Sequence, residues 1–107
     1  FDEVFFPIEC RFIKAEDSWL SPFYQRDTVS LAVHRYFEED YEPYFKAIEP
    51  IFQKYEGRPH WGKLNTFSAQ QIAKAYPRFN DFKNVRQQYD PSGKFLNSYL
   101  KEIFEIS

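Results

Sequence analysis

The sequence contains no methionine, one cysteine (Cys10), three glycines, and no apolar run near the roughly 20 residues that cross a bilayer. One thiol excludes an internal disulfide, so the chain is not a cross-linked secreted scaffold, and a reducing, cytoplasmic setting is expected. Gly57, Gly62 and Gly93 stand apart, which excludes a glycine-rich phosphate loop. An excess of one charge is missing too. Against 16 Asp and Glu there are 14 Lys and Arg, a formal net charge of -2, which gives no electrostatic footprint for nucleic acid. Cys10, His34 and His60 are scattered, without the pair spacing that zinc sites use, so no metal centre is expected.

What is present is apolar and aromatic. Hydrophobic residues make up 43% of the 107 positions and aromatics 21%, enough for a core of one modest domain without staples and well away from disorder. The sequence opens directly on a strand-like run, Phe1-Asp2-Glu3-Val4, with neither an initiator residue nor a leader, and reads as a fragment or a processed product.

Residues 4–14 alternate, with Phe6, Ile8, Cys10 and Phe12 on a core-like face and Pro7, Glu9 and Arg11 on the other. A second strand is expected over residues 28–37. It places Val29, Leu31 and Val33 on one face and Ser30, Ala32 and His34 on the other. From Tyr41 to Tyr55, apolar positions recur at helical spacing, with Pro43 suited to a first turn and Pro50 expected to kink or divide the helix. Residues 58–63 are short enough for a strand or an extended loop. Ser68 with Gln71 is a capping-box signature for a helix to about Tyr76, stopped by Pro77. Phe79, Phe82, Val85 and Tyr89 form another helical stripe, Asp90-Pro91-Ser92-Gly93 a turn, and Phe95 to Ile103 a last helix. The class is α+β, with a small antiparallel or mixed sheet backed by helices and a helical C-terminal segment.

Three constellations carry candidate chemistry. Glu9 and Arg11 lie two apart on a strand and share a side, so they can pair there. Such a pair can fix a substrate oxygen in a pocket, and the same spacing also fits a solvated strand face. His60, Trp61 and Lys63 cluster where Gly62 permits close approach, and an ammonium there can stabilise developing negative charge. The alternatives are a hydrogen-bonded core histidine, a packing tryptophan and an exposed lysine. His34, beside the small residues Ser30 and Ala32, can line the same pocket or sit on the surface. Cys10, on the apolar side, is expected to be inert.

The order and spacing of Glu9-Cys10-Arg11, of residues 17–27 (DSWLSPFYQRD), of Arg58-Pro59-His60-Trp61-Gly62-Lys63 and of residues 90–100 (DPSGKFLNSYL) resemble the C-terminal region of the aldonolactone oxidase and alditol oxidase family. These are FAD-linked oxidoreductases of the vanillyl-alcohol-oxidase type. The resemblance covers essentially the whole chain. It implies oxidation of a CH–OH group of an aldonolactone, sugar or alditol by hydride transfer to FAD, with oxygen as the expected acceptor. It implies that FAD is held mainly by an N-terminal domain absent from this chain, so that the piece alone is inactive. Residues 1–76 would belong to the substrate-binding cap domain, and residues 77–107 would be a helical segment packing on the missing FAD domain through aromatics between Phe79 and Phe104. Arg11 and Lys63 would be catalytic. Glu9, Arg11, His34, His60 and Lys63 would bind substrate, and Lys63 and Asn97 would approach the cofactor. The competing expectation from the residues alone is a non-enzymatic α+β protein-interaction module.

Overall fold

A computed structural model of the protein describes residues 6–107. Two strands come first, β1 (Glu9–Ile13) and β2 (Thr28–Ala32), followed by four helices: α1 (Glu42–Lys54), α2 (Ala69–Ala75), α3 (Phe79–Tyr89) and α4 (Ser98–Phe104). The strands pair antiparallel, with Glu9 opposite Ala32, Arg11 opposite Ser30 and Phe12 opposite Val29. The arrangement is α+β with the helices at the C-terminal end.

Both strands are shorter than the alternation suggests, and positions 4 and 5 of the first lie outside the described residues. Pro7 has no N–H to donate to a ladder, and β2 leaves the sheet after Ala32, two residues before His34. The face expected to be core is the exposed one. Phe12 is 85% exposed, and Ile8, Val29, Leu31 and Cys10 are also exposed. Alternation separates two faces correctly but does not say which of them meets a partner. Here no described element covers the apolar side, so Cys10 stands in the open rather than in a core.

The strand connection is held by local bonds. Glu16 N–H donates to Phe23 O at 3.1 Å, Gln25 N–H to Glu16 O at 2.8 Å, and Ala15 N–H to Asp27 Oδ1 at 2.9 Å. Gln25 turns the chain at a φ of 53°.

Helix α1 carries Pro43 in its first turn and is not divided at Pro50. A proline there forfeits the bond to the carbonyl four residues back. Lys46 and Pro50 are both exposed, so water can satisfy that carbonyl and the helix continues. Helix α2 shows both halves of the capping box: Gln71 N–H donates to Ser68 Oγ at 3.2 Å, and Ser68 N–H to Gln71 Oε1 at 2.8 Å. Helix α4 is N-capped by Asn97, whose Oδ1 accepts from Leu100 N–H at 2.8 Å. Between α3 and α4, the Asp90 carboxylate accepts from Lys94 N–H at 2.8 Å and Phe95 N–H at 3.0 Å, while Gly93 takes a left-handed φ of 69°.

The core lies among these last helices. Ile72, Tyr76, Phe79, Ile103 and Phe104 are buried, with Trp61, Phe67, Phe82 and Leu100 packed around them. Phe79 and Phe82 both stack on Phe104, at centroid separations of 5.5 and 5.9 Å. Several aromatics expected on a surface therefore form the chain's own core, leaving Tyr89 and Phe95 exposed. The Cα radius of gyration is 15.6 Å, against about 13 Å for a closed domain of this length. The outline is elongated, 49 × 31 × 20 Å, and a wide concavity is bordered by β2, α1 and the loop after α1.

Candidate functional site

Residues 58–63 form an extended loop closed by a turn, not a strand. Lys63 N–H donates to His60 O at 3.2 Å, and Gly62 N–H donates to His60 Nδ1 at 3.0 Å. Because Nδ1 accepts, neutral His60 carries its proton on Nε2. An added Cβ at Gly62 would meet only the His60 ring at 3.5 Å, ordinary contact, so nothing among the described residues crowds this glycine.

The loop is pinned along its length. Arg58 donates from Nε to Ala75 O at 2.8 Å and from Nη1 to Tyr24 O at 3.0 Å and Pro22 O at 3.4 Å. Its guanidinium lies 5.4 Å from the Tyr76 ring centre. Trp61 Nε1 donates to Leu20 O at 2.8 Å, and its ring packs on Tyr76 at 5.2 Å. The Tyr76 hydroxyl donates to Pro59 O at 3.2 Å. Beyond the turn, Glu49 of α1 accepts from Thr66 N–H at 2.8 Å and also from the Thr66 hydroxyl. The motif's apolar and guanidinium members thus anchor it, and His60, Gly62 and Lys63 are left exposed.

Those exposed residues border an open concavity of about 1390 Å³, which His34, Ser30, Ala32, Phe52, Tyr55 and Tyr99 also line. Four cations line it: Arg26, Arg35, Arg58 and Lys63. Arg58 is committed to backbone carbonyls, Arg26 to Glu56 O at 2.7 Å, and Arg35 to Glu39 at 2.9 Å. Lys63 is the lining cation whose ammonium has no protein partner among the described residues. An uncommitted ammonium that lines the same concavity as two imidazoles, on a turn fixed to a core, can hold an oxyanion or an alcohol oxygen.

The structure therefore brings His34, His60 and Lys63 to one cavity. Glu9 and Arg11 pair with each other, as their spacing predicts, on the sheet side they share with Ser30 and Ala32. Neither is among the lining residues, and both side chains are substantially exposed. Asn97 lies at the start of α4, where its carbonyl oxygen is taken by the helix and its amide NH₂ remains to donate. Cofactor phosphates find no glycine-rich cradle here. Among the described residues, no group of three His, Cys, Asp or Glu side chains is placed to hold a metal, and no helix is long and apolar enough to cross a membrane.

Sequence reasoning missed the anchoring residues Arg58, Tyr76 and Glu49. Their contacts span 17 to 36 positions, for which spacing gives no signal. Burial pushes the Tyr76 phenol up to about 12, with the Trp61 indole and the nearby Arg58 charge opposing that rise.

The profile of the D-arabinono-1,4-lactone oxidase family matches residues 2–103. L-gulono-1,4-lactone dehydrogenase of Mycobacterium tuberculosis is 44% identical over 100 residues, covering 94% of this chain and 23% of that protein. L-gulonolactone oxidase of Mus musculus is 39% identical over 103 residues, covering 92% and 23%. Alditol oxidase of a Streptomyces species is 37% identical over 100 residues, covering 91% and 24%. The chain spans about a quarter of the length of these relatives. A match across almost the entire sequence, running through the segments that build the concavity, makes the chain a member of the D-arabinono-1,4-lactone oxidase family.

Proposed function

We propose that this chain is the substrate-side, C-terminal part of an FAD-dependent oxidoreductase that oxidises a CH–OH group of an aldonolactone, sugar or alditol, with dioxygen as acceptor. The observation that carries the reading is Lys63, an ammonium without a protein partner among the described residues, exposed on a core-anchored turn at a large concavity. The relatives' names support the substrate class, and they include both an oxidase and a dehydrogenase, so the acceptor is the finer part of the proposal.

The residues present suit the ring end of FAD and its substrate, since aromatic walls, imidazoles and a cation with no protein partner among the described residues line the cavity. The phosphate end needs another domain, and we assign it to an N-terminal region of a longer protein. When bound, FAD supplies the hydride acceptor. Lys63 would hold the carbinol oxygen and stabilise the negative charge it gains as its proton passes to water in the open concavity. Arg11 assists at that oxygen, and Glu9, which also holds Arg11, orients a neighbouring hydroxyl. His34 and His60 form the walls, with the Nε2–H of neutral His60 able to donate to a polyol oxygen. The Asn97 amide is the group offered to the cofactor. Residues 1–76 then act as part of the cap. Residues 77–107 pack on the FAD domain, for which exposed Tyr89 and Phe95 provide apolar area. The unpaired Cys10 supports a cytoplasmic location.

The test is the absorbance spectrum of the purified full-length protein before and after anaerobic addition of an aldonolactone or alditol, followed by peroxide measurement on admitting air. Bleaching of a flavin band with peroxide release supports the whole reading, and bleaching without peroxide replaces only the acceptor. A colourless protein that never takes up FAD sinks it and leaves an α+β interaction module.

A further inference from the structure

We infer that Tyr76 is the positioning residue of this site: its hydroxyl and ring together set the His60–Lys63 turn against the helical core, and thereby the place of the Lys63 ammonium. The inference rests on the oxidase reading above. Tyr76 is wholly buried at the C-terminal end of α2, and three of the residues that lead into Lys63 converge on it. Pro59 accepts its hydroxyl proton at 3.2 Å, Trp61 packs on its ring at 5.2 Å, and the Arg58 guanidinium lies 5.4 Å from its centre. The turn that follows is closed by its own bonds, from Lys63 N–H to His60 O and from Gly62 N–H to His60 Nδ1. Residues 59–63 are thereby linked to one another, and Tyr76 is where they meet the helical core, beside the Trp61 bond to Leu20 O and the Arg58 bond to Ala75 O.

The hydroxyl is what separates this role from packing. A phenylalanine would fill the same core position, whereas a buried hydroxyl is unfavourable unless it is paired. The pairing here is with the carbonyl directly before His60. A phenol is protonated at neutral pH without help, and burial raises this one further, so the donor is present throughout the neutral range. Loss of that bond leaves the core packed and loosens the turn directly before His60, and a misplacement of about 1 Å at reacting groups can lower turnover about a hundredfold.

The experiment uses the full-length enzyme and reads turnover per bound flavin beside thermal stability for Tyr76→Phe, Trp61→Leu, Lys63→Ala and the core control Ile72→Val. Ile72 lies one turn before Tyr76 in the same core, so its truncation weakens packing without touching the turn. Tyr76→Phe is expected to keep its flavin and lower kcat about tenfold, with KM changed by less than about twofold. Ile72→Val is expected to lower the melting temperature and keep kcat per flavin. Should Tyr76→Phe fail to fold, Trp61→Leu, which removes the ring that packs on Tyr76, carries the same expectation. Full turnover in the folded Tyr76→Phe or Trp61→Leu enzyme, with Lys63→Ala impaired, overturns the positioning role alone. Full turnover in Lys63→Ala overturns the site reading, and this inference with it.

Discussion

Arg58 Nε donates to the carbonyl of Ala75 at 2.8 Å, joining the loop that carries His60 and Lys63 to the last turn of α2. The same guanidinium reaches Tyr24 O and Pro22 O in the strand connection, so one side chain ties three stretches of backbone together. Truncation in Arg58→Ala leaves these half-buried carbonyls without a charged donor, and the expected loss of stability is about 3 kcal/mol. Lysine keeps the charge but not the planar fork, so Arg58→Lys is expected to recover less than half of that loss. Urea denaturation measures both, and a loss below about 1 kcal/mol for Arg58→Ala rejects the tie as a main support.

Asp90 gives the molecule an acid-sensitive joint. Its carboxyl is held below the usual carboxylate range by the Phe95 N–H, then by the Lys94 N–H, the Arg86 charge and the Gly93 N–H, with burial acting in the opposite direction. A carboxyl lowered in the folded state contributes stability that is fully present above its unfolded value. That contribution is lost as pH falls through the unfolded and then the folded value. The melting temperature is therefore expected to fall as pH drops from about 5 toward 3, and Asp90→Asn is expected to flatten that limb. Parallel acid limbs for the two proteins would assign the sensitivity to other carboxylates.

Glu105 ends α4 in the left-handed region, at φ 55° and ψ 49°. The geometry is a Schellman-type cap: Ile106 N–H donates to Lys101 O at 2.9 Å and Glu105 N–H to Glu102 O at 3.1 Å. Glutamate is strained there and glycine is not, although glycine loses more freedom on folding. Glu105→Gly is expected to raise stability by about 0.5–1 kcal/mol, a few degrees in melting temperature. A decrease would mean that the Glu105 side chain contributes more than its backbone strain removes.

The helical half was legible in the sequence because its signals are local. Ser68 and Gln71 form the capping box that their spacing implies, and the Asp90–Gly93 turn closes where its residue types require. The sheet was half legible. Alternation paired Glu9 with Arg11 and Cys10 with Phe12, but the exposure of Phe12 and Val29 depends on what covers a face, which alternation does not encode. In the candidate site, His60 and Lys63 were found from their motif, whereas Tyr76 and Arg58 escaped. Their work is done by contacts such as the one with Pro59, made across 17 residues.

Lys63 and Arg11 separate function from folding in opposite structural settings. Lys63 is exposed and its ammonium has no protein partner among the described residues, so Lys63→Ala is expected to shift stability by no more than about 0.5 kcal/mol. If it serves the reacting oxygen, turnover of the full-length enzyme falls on the order of a hundredfold or more. Arg11 pairs with Glu9 on an exposed strand, and such a pair contributes about 0–1 kcal/mol, so Arg11→Ala is also nearly silent in folding. On the proposed reading its turnover is expected to fall as well, because Glu9 would lose the partner that holds it in place to orient a polyol. Steady-state kinetics beside thermal melts distinguishes the outcomes. Lost folding with intact turnover per folded molecule would return both residues to structural roles. Lost turnover in Lys63→Ala alone would place the Glu9–Arg11 pair outside the reacting centre, as their absence from the cavity lining suggests for this chain on its own.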